Sequence, residues 1–176
     1  MPMQSETTTK QEILISHMTR SDWKAIKQLY REKYSDGIAS EWNEELFPGE
    51  LSFISRTDGE VNGHLQLIPL QETGKQSSNV LLIGHMVLPD GKEGKALLQE
   101  ASMCAWELGY KAIVTFEDQG ELMENGFYEL DYPVFSNLNE NTPVYGYALS
   151  WKGTEKIKRN LVYPHVRFYL LLRSQS

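Results

Sequence analysis

Apolar positions along the chain change period several times, and each change predicts a new element. Glu12 to His17 alternate as a short strand would. Thr19 or Ser21 can then cap a helix, since either hydroxyl accepts from a free amide of the first turn. Trp23, Ile26, Tyr30 and Tyr34 recur at helical spacing, most simply as a core face, and Gly37 is placed to end the run. Ser40 to Glu50 is acidic and irregular, with Pro48-Gly49 marking a turn.

Two strands, Leu51 to Arg56 and Glu60 to Leu70, flank Asp58-Gly59, a hairpin signal because glycine tolerates the positive φ of such turns. Gln71 to Asn79 reads as a polar loop, and Val80 to Leu88 as a central strand buried on both faces. Pro89-Asp90-Gly91 breaks that strand. Ala96, Leu97, Ala101, Cys104, Ala105 and Leu108 then form an apolar stripe on a long helix that Gly109 ends, and Lys111 to Phe116 is another buried strand. Strand, helix and strand joined this closely make a right-handed βαβ unit with parallel strands. A short helix follows at Gln119 to Asn125, with strands at Phe127 to Glu129 and Val144 to Trp151. The tail, Gly153 to Ser176, carries a short polar helix and a strand-like run, Val166 to Leu172. The expected fold is α/β (α+β), a mixed, mostly antiparallel sheet with a central βαβ unit and helices on both faces.

At 176 residues, with 40% hydrophobic and 23% charged positions, the chain suits one domain rather than two. The expected division is a flexible polar tail over residues 1–11 and a single domain over 12–176. The one cysteine, Cys104, has no internal partner for a disulfide and sits in an apolar stripe, which favours packing over nucleophilic work. No run reaches transmembrane length and the N-terminus lacks a signal-peptide pattern, so a cytoplasmic location is the default and no membrane partner is expected. A net charge of −7 argues against nucleic acid, leaving only Lys152, Lys156, Lys158 and Arg159 as a modest basic patch. No Cys/His cluster has metal-ligand spacing, so no metal is expected.

Several words stand in a telling order: Gly59-Glu60-Val61-Asn62-Gly63-His64, Leu88-Pro89, Gly94-Lys95-Ala96-Leu97-Leu98, Leu108-Gly109-Tyr110-Lys111-Ala112-Ile113-Val114, Asn125-Gly126-Phe127, and Leu161-Val162-Tyr163-Pro164 with Phe168. In order and spacing, over roughly residues 12 to 168, they resemble the YhbS-like branch of the GNAT (GCN5-related N-acetyltransferase) family. The resemblance implies the GNAT fold and direct transfer of an acetyl group from acetyl-CoA to the amine of a small molecule or protein. It implies a diphosphate held on amides at the start of the long helix, here Gly91, Lys92, Gly94, Lys95 and Ala96. It also implies a thioester carbonyl polarised by a backbone amide within Met86, Val87 and Leu88.

Two features depart from the family pattern. Between Pro89 and Gly94-Lys95-Ala96 the loop is about three residues short, and Glu93 puts a carboxylate where phosphate oxygens would lie. The tyrosine pair that related sequences carry before the Gly-Phe word is replaced by Glu121 and Leu122, with Tyr128 and Tyr132 just beyond. For an amine-facing base, Glu117 and Asp118 at the end of the second parallel strand are the candidates, and solvated strand-end carboxylates the plainer reading. His85 lies near the presumed thioester position, as base or as a satisfied core histidine; His64 carries the same pair of readings. Glu41, Glu44, Glu45 and Glu50 suit a cationic acceptor or simply a solvated face. Two functions follow: an acetyl-CoA-dependent N-acetyltransferase, or a catalytically silent GNAT-like module that binds a ligand or partner. A homodimer formed through the C-terminal strands is a third reading that overlaps the second.

Overall fold

The computed structural model of the protein describes residues 12–33, 51–72, 78–116, 120–131, 134–135, 143–150, 157 and 161–162. Along the chain run β1 (Ile13–His17), a 3₁₀ turn (Arg20–Asp22), α1 (Trp23–Lys33), β2 (Ser52–Thr57), β3 (Glu60–Pro69), β4 (Gln71–Glu72) and β5 (Val80–Val87). Then come α2 (Lys92–Glu107), β6 (Ala112–Thr115), α3 (Gly120–Glu124), β7 (Tyr128–Glu129), β8 (Tyr145–Ala148) and β9 (Leu161–Val162).

Seven strands form one sheet in the order β1-β2-β3-β5-β6-β8-β7. Among its strand pairs only β5 and β6 run parallel, joined through α2; the rest are antiparallel. This is the expected mixed sheet. Asp58 and Gly59 both take positive φ, 52° and 84°, so the β2–β3 hairpin closes on the mirror-image turn that matches strand twist.

Each face of the sheet carries its own core. Ile26 and Tyr30 of α1 pack on Ile54, Ile68, Leu82 and Val114. On the other face, Leu97, Leu98, Ala101 and Ala105 of α2 pack on Phe53, Leu65, Ile83 and Ile113. Alternate residues of a strand point to opposite faces, so the unbroken apolar run in β5 is the direct consequence of cover on both sides.

The helix ends follow local chemistry. The Asp22 carboxylate accepts from the Thr19 amide at 2.8 Å and pairs with Arg56 of β2, fixing the entry to α1. At the other end of α2, Gly109 adopts φ 90°, its amide bonds to the Trp106 carbonyl at 3.0 Å, and Tyr110 N–H reaches Ala105 O at 3.1 Å. These two bonds are a Schellman motif, which satisfies carbonyls that the helix leaves unpaired.

Three expectations need correction. Gln71–Glu72 is a short strand rather than loop, because it pairs with Leu161–Val162, far along the chain, through the contacts Gln71↔Val162 and Glu72↔Leu161. The helix opens at Lys92, so Lys92 and Glu93 belong to its first turn instead of to the loop before it. Leu108, assigned to the apolar stripe, is the residue where the helix stops, and it is 58% exposed. The Val166 to Leu172 run, the tail's polar helix, the Gly37 stop and the 1–11 tail lie outside the described residues.

Gly94 has a steric cause. A Cβ there would lie 2.2 Å from the Pro89 carbonyl oxygen, a backbone atom that cannot swing aside. Gly94→Ala is expected to cost about 1–3 kcal/mol, lowering the melting temperature by several degrees without any ligand present. An unchanged melting temperature would show that the turn relaxes freely.

Candidate active site

β5 holds β6 for only four residue pairs, Val80↔Ala112 to Ile83↔Thr115. Beyond them, no described strand pairs with β5 on that side. On the opposite edge β3 follows β5 to its end, but with a register shift: Leu67 faces Ile83 and Gln66 faces His85, leaving Gly84 as an extra residue. That is a β-bulge, which bends a strand and resets the direction of its following groups.

The bulge determines where backbone groups point. Val80 O accepts from Leu70 N on the β3 side at 3.0 Å, while Asn79 O accepts from Lys111 N on the β6 side at 2.9 Å. By strand alternation, residues 81 and 83 also address β6. The extra residue shifts the count by one, so the N–H and C=O of Met86 face the open edge. Lys33, the last residue of α1, donates from Nζ to the Met86 carbonyl at 3.1 Å, as that orientation allows. The Met86 side chain is fully buried under α2. The site at this position is thus backbone, aimed into a gap.

Gly91, at φ 70°, turns the chain from β5 into α2. The first helical bond runs from Lys95 N to Gly91 O at 3.2 Å, so the amides of Lys92, Glu93 and Gly94 have no acceptor within the helix. Lys92 and Lys95 are exposed, Glu93 is half-buried, Gly94 is buried, and Ala96 is half-turned to the surface in the second turn. Three amides at the positive end of a sixteen-residue helix suit an anion. The residues present therefore fit acetyl-CoA: an open strand edge for the amides of its pantetheine arm, and a helix start with two lysines for its diphosphate. The shortened loop appears here as direct contact between the Pro89 carbonyl and Gly94.

Grooves open on both faces of the sheet, and the α1-face groove reaches the gap at Lys33 and Val87. On the α1 face, a groove of about 930 Å³ is lined by Gln28, Leu29, Lys33, Arg56, Val61 and Val87 among others. On the α2 face, one of about 630 Å³ runs between Leu98, Ser102, Trp106 and Tyr147.

The sequence-derived candidates separate here. His85 is 1% exposed and faces Gln66 on the β3 side, one residue before Met86. Glu117, Asp118, Tyr132, Glu41, Glu44, Glu45 and Glu50 lie outside the described residues. Leu122, at the position of a family tyrosine, is 0% exposed and belongs to the α2-side core. Tyr128 is on β7 at the surface. Cys104 is half-buried, and burial, then Glu107 and Glu100, push its thiol pKa up, which disfavours thiolate chemistry. Lys33 was not singled out from the sequence, where it is one charged residue on a helix already rich in them.

His64 is a structural histidine. Tyr30 Oη lies 2.8 Å from Nδ1 and Ser52 Oγ 2.8 Å from Nε2, with Ser52 donating onward to Met18 Sδ at 3.5 Å. That chain assigns the proton to Nε2 and makes Nδ1 the acceptor of the Tyr30 hydroxyl. Burial, which penalises the charged imidazole, lowers the pKa of His64 to about 3.

No protein-family model matches the chain, and no curated protein matches it by sequence. Solved structures do match. The chain is similar to the GNAT family N-acetyltransferase YhbS from Escherichia coli in complex with CoA, with TM-score 0.70 and 18% identity over 88% of this chain and 91% of that one. A GNAT family acetyltransferase from Brucella melitensis in complex with acetyl-CoA gives TM-score 0.59 and 18% identity, over 90% and 98% of the two chains. N-acetylglutamate synthase from Neisseria gonorrhoeae, complexed with coenzyme A and N-acetyl-glutamate, gives TM-score 0.61 and 19% identity over 79% of this chain and 35% of that one. The fold is that of the GNAT N-acetyltransferases, and the similarity to YhbS extends over most of both chains.

The buried neutral imidazole sets a pH response. The unfolded chain binds a proton at His64 near pH 6.5 and the folded chain only near 3, so stability is present above 6.5 and falls as pH drops through that window. Urea unfolding is expected to lose about 1 kcal/mol per pH unit from roughly pH 6 to 5, and His64→Gln to flatten that slope. Equal slopes in the two proteins would assign the loss to other groups.

Proposed function

We propose that the protein is an acetyl-CoA-dependent N-acetyltransferase that passes the acetyl group directly to the amine of a small molecule or protein. The observation that carries this reading is the Met86 backbone, directed into the gap where β5 leaves β6, directly before the amide-rich start of α2. Acetyl-CoA supplies the acetyl group as an activated thioester. The chain's part is to place and polarise it. Met86 N–H is the donor for the thioester carbonyl, worth most where water is excluded. Val87 and Leu88 continue the edge along which the pantetheine amides pair. Gly91, with the amides of Lys92, Glu93 and Gly94 and the ammonium groups of Lys92 and Lys95, holds the diphosphate. Ala96 keeps the second turn free of bulk.

The acceptor approaches along the α1-face groove that ends at Val87 and Lys33. Glu117 and Asp118, which follow β6 directly in sequence, take the amine proton, alone or through water. His85 forms part of the wall behind Met86. With Leu122 in the core, no phenol stands at the family position, and the departing thiolate is a good enough leaving group to be protonated by solvent. No helix among the described residues is long and apolar enough to cross a membrane.

Thermal unfolding with and without millimolar acetyl-CoA tests the reading. A ligand at about 100 times its Kd adds about 2.7 kcal/mol, several degrees for a chain of this size. No shift would remove the acetyltransferase reading and leave a GNAT-like module that binds something else. A sharper test uses Glu93, the one carboxylate in the first turn of α2. Glu93→Gln is expected to tighten acetyl-CoA binding about two- to five-fold by calorimetry, since a like charge near the diphosphate is removed. Unchanged or weaker binding would place the diphosphate elsewhere.

A further inference from the structure

Lys33 sits where an acceptor amine belongs. Its Nζ is 3.1 Å from the Met86 carbonyl oxygen, on the open edge of β5. The N–H and C=O of one extended residue lie on the same side of a strand, about 3 Å apart. A thioester carbonyl accepting from Met86 N–H would therefore bring its carbon within a few ångströms of the Lys33 nitrogen, the separation at which acyl transfer begins. Two other lysines on α1 provide a contrast. Lys24 is exposed on the first turn, and Lys27 lies with Nζ 5.8 Å from the Trp23 ring centroid. Lys33 differs from both because its Nζ reaches the Met86 carbonyl at the sheet edge.

We propose that Lys33 is itself an acetyl acceptor, modified in cis by the acyl donor bound at the gap. The proposal rests on the acetyltransferase reading. In the step, the lone pair of the neutral Nζ attacks the thioester carbonyl carbon, a C–N bond forms and the C–S bond breaks. The nitrogen's proton passes through water to the departing sulfur, giving an acetamide on Lys33 and free CoA thiol. Modification removes the charge of Lys33 but leaves one N–H, so the bond to Met86 O can be kept while the acetyl group occupies the mouth of the α1-face groove. One turnover per molecule follows, and it competes with any external amine.

The full chain is incubated with acetyl-CoA, and acetylated sites are followed by intact mass and peptide mapping, with thermal unfolding in parallel to report binding. Lys33 is expected to gain one acetyl group at least about ten-fold faster than Lys24 or Lys27, at a rate per molecule that dilution leaves unchanged. Urea-unfolded chain in the same acetyl-CoA should lose that preference. Lys33→Arg, which retains a cation for the Met86 carbonyl, is expected to gain no acetyl group at position 33 while still showing the thermal shift with CoA. A thermal shift with acetyl-CoA but no preference for Lys33 overturns the proposal and leaves the acetyltransferase reading standing. A rate that rises in proportion to protein concentration overturns modification in cis. Absence of any thermal shift overturns both.

Discussion

Four parallel pairs join β5 to β6, and where they end the extra residue Gly84 turns β5 away while β3 still holds its other edge. A parallel pair that continued would have used the Met86 N–H and C=O in its own ladder. Because the strands part, a backbone donor and acceptor stand at an edge inside the sheet, enclosed by helices on both faces. Unpaired edge groups of a strand are a template for another extended amide chain, the same property that makes exposed edges prone to aggregation. Here the edge is short and internal. Gly84 permits this locally: a Cβ would lie 2.2 Å from Ile68 Cδ1, so a side chain at the bulge would press on the α1-side core.

The two helices hold the gap in different ways. α2 is attached by apolar burial and a close backbone approach, Gly94 against Pro89, which fixes its first turn relative to the end of β5. α1 is attached by apolar contacts and by the buried line from Tyr30 through His64 to Ser52. Hydrogen bonds in a buried line are directional, and their cost when broken exceeds their net gain when made. They therefore fix the position of α1 more narrowly than burial alone would. The position of Lys33 follows, because the helix that carries it has little freedom to slide.

The sequence showed most of the fold because most of it is local. The Asp58-Gly59 hairpin, the continuous apolar run of β5 and the Gly109 helix stop are each written in a few adjacent residues. The short β4–β9 pair was missed because Gln71–Glu72 carries no strand pattern and its partner is far along the chain. The start of α2 was placed late because Lys92 and Glu93 look like loop, and only the helical bond from Lys95 N to Gly91 O shows them to be helix. The site was legible as a region, Met86 to Ala96, but not as a mechanism. A backbone amide leaves no mark on residue identity, and a bulge is a relation between two strands. The Lys33 contact depends on both.

The short loop changes how the work of binding would be divided. A longer loop could surround a diphosphate with many amides; α2 offers three, with the helix dipole behind them and two lysines beside them. Glu93 in the same turn opposes part of that field. Interactions of exposed charges are screened within about 8 Å at physiological salt, so this end of the site contributes modestly. Backbone hydrogen bonds along the edge of β5 depend less on ionic strength than those charge contacts. Affinity in this chain should therefore reside toward the pantetheine and thioester end, the part of the cosubstrate that must be placed accurately for transfer. A site weighted that way tolerates loss of phosphate contacts with less damage to geometry than to affinity.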